Sequence, residues 1–231
     1  MTPIDHDNQH GRQQLVDTLR TLVTKGLTSG TSGNVSMRTA AGMIITPTGI
    51  APDQLLPEHI VAMTLDGQMG DDQLTPSSEW RMHADVYHHR PGLEAVVHCH
   101  SPYATILACA HKSIPALHYM IAASGSSEIP LATYATFGSQ ELSDANLEAL
   151  SSSLACLLAN HGQLATGFSL EGALKLAELV EELAHAYWGT LAIGGPELLA
   201  REQIDDVMVA FAEYGQQKKR PDLASGNRLN Q

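Results

Sequence analysis

Short apolar segments and longer amphipathic ones alternate along the whole chain, separated by turns dense in glycine, proline, serine and threonine. That alternation is the strongest constraint on the fold, because strands interleaved with helices form a sheet with helices packed over it. Leu15, Leu19, Leu22 and Val23 recur at helical spacing, which predicts an amphipathic helix over 11–25, stopped by Gly26. VSMR and MIIT read as two short strands joined by a turn at 40–42, and IVAMTL as a third, followed by a turn at Asp66-Gly67. Ser77 or Ser78 is expected to cap a helix running to about His89, where Pro91 stops it. EAVVHCH reads as a strand, Ser101-Pro102 opens a helix, IPLATYATF gives a short strand and a loop, and LACLLAN is a buried strand running into His161-Gly162. Leu170, Leu174, Ala177, Leu183, Ala184 and Tyr187 mark a long helix ending before Gly194-Gly195. A last helix covers 202–213, and the charged tail over 216–231 is expected to be flexible. With no repeat, low-complexity tract or linker, the expectation is one α/β domain over 1–231, helices on both sides of a central sheet; the pattern does not fix the strand order.

Composition narrows the function. Hydrophobic residues make up 43% of 231 residues and charged ones 16%, enough for a sizeable core. Lys and Arg number 13 against 25 Asp and Glu, so 13 − 25 = −12, a surface that repels nucleic acid and anionic membranes. The three cysteines, Cys99, Cys109 and Cys156, show no zinc-knuckle or disulfide spacing, which fits a reducing, cytoplasmic setting. The opening MTPIDHDNQHGRQQ lacks an apolar segment of signal-peptide type, and no apolar run is long enough to span a membrane.

Twelve histidines stand out, and two of them frame Cys99. His98 and His100, at i and i+2 on a strand, project from one face and could chelate one ion. His161, just past a buried strand, is a third candidate, and Glu79 could add an oxygen from the start of its helix. Spacing alone leaves the bland reading standing beside this one: half-buried strand histidines and a turn histidine. Cys99 alternates to the opposite face as buried filler, His83 packs or hydrogen-bonds behind Glu79, and His88 and His89 lie on the surface. Three small-residue segments, 31–34, 46–49 and Ser77-Ser78, offer backbone N–H groups and hydroxyls suited to an anion, or are ordinary turns. There is no P-loop lysine motif and no GxGxxG, so nucleotide binding is not indicated.

Taken in order, GTSGNVS, MIITPTGI, PSSEWRMH, AVVHCHSPYAT, IPALHYMIAASG, YATFG and the late NHG resemble the class II aldolase/adducin family from about Gly26 to Tyr214. The resemblance implies a three-layer α/β/α fold around a largely antiparallel sheet, and a cytoplasmic homotetramer with active sites between neighbouring subunits. It implies His98, His100 and His161 as ligands of Zn2+, or of another divalent ion such as Mn2+ or Co2+. It implies Glu79 as metal-associated carboxylate and acid/base, and Gly33, Asn34, Thr48, Gly49, Ser77 and Ser78 around a substrate phosphate. Tyr119 would reach in from the adjacent subunit as a proton donor, and Tyr214 would touch the substrate from the C-terminal tail. The implied reaction is reversible retro-aldol cleavage of a 1-phosphorylated deoxyketose to dihydroxyacetone phosphate and an aldehyde. The substrate would be L-fuculose 1-phosphate or a 5-deoxy- or 5-methylthioribulose 1-phosphate, with SPYAT after the ligand pair bearing on the aldehyde end. Alternatives within the family are a pentulose-phosphate 4-epimerase, a branch with aspartate in place of Glu79, and a methylthioribulose-1-phosphate dehydratase. An adducin-like binding module without activity is the remote alternative.

Overall fold

A computed structural model describes residues 8–213. Its helices are α1 (Gln9–Thr24), α2 (Trp80–His89), α3 (Pro102–Cys109), α4 (Gln140–Ala149), α5 (Leu170–Leu191) and α6 (Arg201–Glu213). Its strands are β1 (Asn34–Thr39), β2 (Gly42–Ile45), β3 (Val61–Met63), β4 (Ala95–Cys99), β5 (Leu131–Ala132), β6 (Ala155–Leu158) and β7 (Gly162–Gly167). They form one sheet in the order β3-β2-β1-β4-β7-β6-β5. Only the β5–β6 pair is parallel; the other five pairings are antiparallel, as the family resemblance implies.

Period-2 alternation divides the core into two layers. Val35, Ile44, Ala95, Val97, Cys99, Leu157 and Ala165 face α1, α3 and α5, whereas Met43, Val61, Val96, Cys156, Leu158 and Leu164 face α2 and α4. Helices therefore cover both faces of the sheet, and Cys99 is fully buried filler on the face opposite His98.

Three local readings need correction. The cap of α2 is Glu79, not Ser77 or Ser78. Ser77 is held in an extended segment by its N–H to Thr46 O and by the Pro47–Pro76 bridge, so the chain turns helical only after it. Its hydroxyl accepts from the Glu79 N–H at 3.3 Å instead. The segment 162–167, which the sequence reading leaves after the turn, is the interior strand β7, between the central strand β4 and β6. Residues 140–149, also unassigned, form α4, capped by the Ser139 hydroxyl accepting from the Leu142 N–H.

Candidate metal centre

β4 carries His98 into the middle of the sheet's α2-facing side, and His100 follows one residue past the strand's end. His161 sits in the tight turn between β6 and β7, its N–H bonded to Leu158 O. The turn depends on Asn160, whose φ of 55° is left-handed, a conformation asparagine tolerates better than most residues. Asn160 is secured by its N–H to Ala108 O and by a 2.6 Å side-chain bond to His111. Because β4 and β7 are neighbours, strand end and turn bring the three rings together, with centroids 4.8–4.9 Å apart.

Glu79 closes the group from the start of α2. Its Oε2 lies 3.3 Å from His98 Nε2, and its Oε1 lies 3.3 Å from His161 Nε2. His98 Nε2 is 3.1 Å from His100 Nε2. His98 Nδ1 is 2.9 Å from the backbone carbonyl of Gln163, which accepts its hydrogen and fixes the tautomer. The other nitrogen of that ring therefore turns a lone pair toward the carboxylate, two acceptors facing each other. A cation between them resolves that conflict. Glu79 Oε1 is also buried without a hydrogen-bond partner. Three imidazoles with ligand atoms within 4.8 Å of one another, plus one carboxylate, are a borderline donor set suited to a four-coordinate divalent ion.

Electrostatics agree with a ligand role. Burial pushes His98 down to about 4, only partly offset by Glu79, and burial with the His161 charge also lowers His100. Both rings are thus neutral and able to ligate near pH 7. Burial alone would raise Glu79, but His98, His161, the Asn34 amide and His83 together hold its carboxyl below the usual range.

The centre opens into a cleft of about 320 Å³. Its walls include Thr31, Ser32 and Gly33 from the loop before β1, Asn34 at the start of β1, Pro47 and Thr48 after β2, and Ser77 and Ser78 before α2. All three small-residue segments thus meet beside Glu79, His100 and His161, and no Lys or Arg is among the lining residues. Gly49 follows Thr48 at the exposed rim, outside the lining. Gly33 lies against the ligand strand: a Cβ there would stand 3.0 Å from His98 O, and its φ is +82°.

Tyr134, Ala135 and Phe137, from the YATFG string, and Asn160, from NHG, also line the cleft, although the sequence assigned them no role. Tyr134 and Phe137 belong to an exposed loop without periodicity, so beyond the YATFG match nothing local points to a role for them. Tyr119 is 48% exposed, against Phe211 of α6, and does not line its own chain's cleft. Tyr103 of the SPYAT segment stacks on His185 at 3.9 Å against α5 and lies outside the lining, so in a single chain this segment does not meet the cleft. Tyr214 lies outside the described residues. Among the described residues no helix is long and apolar enough to cross a membrane.

Comparison with known proteins agrees with this geometry. The family model for the class II aldolase and adducin N-terminal domain matches residues 13–188. The chain is 45% identical over 210 residues to a Rhodospirillum rubrum protein named 5-methylthioribulose-1-phosphate/5-deoxyribulose-1-phosphate aldolase, covering 91% of this chain and 95% of that one. It is 47% identical over 204 residues to the L-fuculose phosphate aldolase of Escherichia coli K12, covering 88% and 94%. A solved L-fuculose 1-phosphate aldolase matches the fold with a TM-score of 0.85 at 37% identity, over 88% of this chain and 96% of that one. The chain belongs to the class II aldolase and adducin family.

Proposed function

We propose that the protein is a zinc-dependent class II aldolase that reversibly cleaves a 1-phosphorylated deoxyketose to dihydroxyacetone phosphate and an aldehyde. The observation that carries this reading is the convergence of His98, His100 and His161 on the carboxylate of Glu79 beside a cleft walled by hydroxyls and backbone. The relatives named above support the same class and divide over the aldehyde half, one named for a fuculose phosphate and one for 5-substituted ribulose phosphates.

Cleavage breaks the C3–C4 bond of the ketose. The C4 hydroxyl loses its proton and becomes the aldehyde, and the bonding pair stays on C3 until a proton arrives there. A divalent ion held by the three histidines supplies a Lewis acid for the ketose oxygens. Glu79 carries the proton at C3: its carboxyl is ionised near neutrality, so in the synthetic direction it removes a C3 proton from the triose, and in cleavage it returns one. The Gly33, Thr48, Gly49, Ser77 and Ser78 segments hold the phosphate through hydroxyls and N–H groups at the start of α2, which fixes C3 against the carboxylate; Asn34, implied for the same role, has its side-chain amide engaged by Glu79 and His83 instead. Tyr119 from a neighbouring copy handles the proton on the aldehyde oxygen. Its exposure and its absence from its own cleft support a homotetramer in which neighbours complete each other's sites. Tyr214, in the C-terminal AEYG, contacts the far end of the substrate.

The test is a panel. Zinc-loaded protein is incubated separately with L-fuculose 1-phosphate, 5-deoxyribulose 1-phosphate and 5-methylthioribulose 1-phosphate, and dihydroxyacetone phosphate is followed through NADH oxidation by glycerol-3-phosphate dehydrogenase. Triose release from at least one is expected. Isomerised or dehydrated product without triose from any of them overturns the reading in favour of an epimerase or dehydratase. Zinc-free protein of undiminished stability, indifferent to chelator, points to a binding module.

A further inference from the structure

Behind Glu79 a line of buried polar groups runs away from the cleft into the layer between β1 and α2. Asn34 and Ser36, two apart on β1, share the face turned to the helix; Glu79, His83 and Tyr87, four apart, form one ridge on it. The two sets interlock. Asn34 Nδ2 donates to Glu79 Oε2 at 2.9 Å, and Asn34 Oδ1 meets His83 Nε2 at 2.5 Å. His83 Nδ1 meets Ser36 Oγ at 2.7 Å, and Ser36 Oγ meets the Tyr87 hydroxyl at 2.7 Å. Ser36 and His83 are completely buried, Tyr87 is 1% exposed and Asn34 4%.

Chemistry assigns every hydrogen along this line. An ionised carboxylate only accepts, so the Asn34 amide turns its NH2 to Glu79 and its oxygen to His83. That oxygen needs a donor, so His83 carries its hydrogen on Nε2 and its lone pair on Nδ1. Ser36 gives its single hydroxyl hydrogen to that lone pair and must itself accept from Tyr87. All four bonds therefore point one way, from Tyr87 to Glu79. Turning the amide over would set its oxygen against the carboxylate in a buried place, where two opposed acceptors are costly.

We propose that His83 is a positioning residue: its Nε2–H tautomer, set by Ser36 and Tyr87, locks the Asn34 amide in the orientation that donates to Glu79. The catalytic half of this inference rests on the aldolase reading; the tautomer and the effect on metal binding do not.

The experiment uses the zinc-loaded full chain with His83→Asn, Asn34→Ala, the double variant, and Ser36→Ala. Each of the two single changes at 83 and 34 is expected to lower kcat by about 10–100-fold with KM for the ketose phosphate nearly unchanged, and Ser36→Ala by about tenfold. The double variant is expected to fall no further than Asn34→Ala alone, because His83 acts only through that amide. Zinc affinity, read by competition with a chromophoric chelator, weakens by a similar factor in each single variant. Nitrogen-15 imidazole spectra of the wild type are expected to show His83 hydrogenated on Nε2, and those of Ser36→Ala a loss of that preference. Multiplicative losses in the double variant, or His83 hydrogenated on Nδ1 in the wild type, overturn the proposal. If His83→Asn does not fold, the spectrum and zinc affinity of Ser36→Ala decide it. A wild type that cleaves no ketose phosphate sinks the aldolase reading, while the spectrum and the chelator competition still decide the role of His83.

Discussion

The sheet face turned to α1, α3 and α5 is covered by Val35, Ile44, Val97, Leu157 and Ala165, whereas the face turned to α2 and α4 sets Asn34, Ser36 and His98 among Met43, Val96 and Leu164. On the first face the exception is Gln163 at the ligand end. Its side chain donates to Ser101 Oγ at 2.7 Å and to Ala177 O at 3.1 Å, and its backbone carbonyl receives the His98 hydrogen. On the second face the polar groups run in an unbroken line from Tyr87 to the metal centre. A buried polar group contributes little net stability even when fully hydrogen-bonded. The α2 face therefore gives up apolar contact to hold a carboxylate in one place, while the opposite face keeps the sheet folded. Substitutions should separate accordingly: activity lost first on one side, stability on the other.

The largest separation is expected at Glu79. Glu79→Gln keeps the shape and the bond from Asn34 but removes the group that carries a proton, so turnover is expected to fall about 10²–10⁴-fold. Fold and much of the zinc should remain, as read by circular dichroism and metal analysis. Wild-type turnover would remove Glu79 from the chemistry and erase the contrast between faces. The opposite case is Leu157→Ala on β6, fully buried on the apolar face. Loss of the side chain plus the cavity left behind is expected to cost about 2–5 kcal/mol in urea unfolding, with kcat within a few-fold of wild type below the transition. A large fall in kcat with intact stability would show that the apolar layer takes part in positioning the site.

Acid should distinguish the two faces next, in protein stripped of metal. Burial lowers His83 to about 3 and His98 to about 4, against an ordinary value of 6.5 in the unfolded chain. As pH falls below 6.5 the unfolded chain takes up protons that these buried rings refuse, so stability is full above that value and declines toward pH 4. Each ring contributes a slope of up to about 1.4 kcal/mol per pH unit. Glu79, with its carboxyl held low, works in the same direction: what it contributes is present above about 4.5 and lost as pH falls through its folded value. Cys99 and Cys156, pushed up to about 12 by burial, stay silent throughout. Urea midpoints of apo protein between pH 7 and 4 should therefore fall; bound zinc should raise the midpoints but steepen the fall, because ligated imidazoles stay deprotonated in the folded chain and take up protons only when unfolding releases the metal. A flat profile would mean that water reaches the histidine layer.

Much of this was legible in the sequence because the signals are local. A ligand pair at i and i+2, a buried strand ending in a turn histidine, and three small-residue segments at the ends of elements need no knowledge of the tertiary fold. What escaped depends on pairing. β7, GQLATG, is bounded by glycines and buried along its whole length, so it shows no alternation, and only its place between β4 and β6 makes it a strand. α4 has few inward apolar residues, chiefly Leu142 and Ala145, and reads as polar until α2 is set against it. The buried line behind Glu79 was half visible as Glu79–His83 at helical spacing. Its other half, Asn34 and Ser36, becomes a partner only once β1 is known to lie beneath α2.

The smallest effect expected is at the seam between cleft and metal centre, where both faces have to agree on the position of β4. Gly33 holds φ +82° and leaves room for the backbone carbonyl of His98; a Cβ would meet that oxygen at 3.0 Å and Thr28 Oγ1 at 3.0 Å. Gly33→Ala is therefore expected to cost about 1–2 kcal/mol from left-handed backbone strain, with a few tenths of an ångström of displacement in the loop. Because that loop lines the cleft while His98 is held independently by Gln163, KM for the ketose phosphate should rise several-fold before zinc stoichiometry changes. If zinc is lost first, the loop and the ligand strand move as one body. The division between a stability face and a chemistry face would then have to be redrawn through β1.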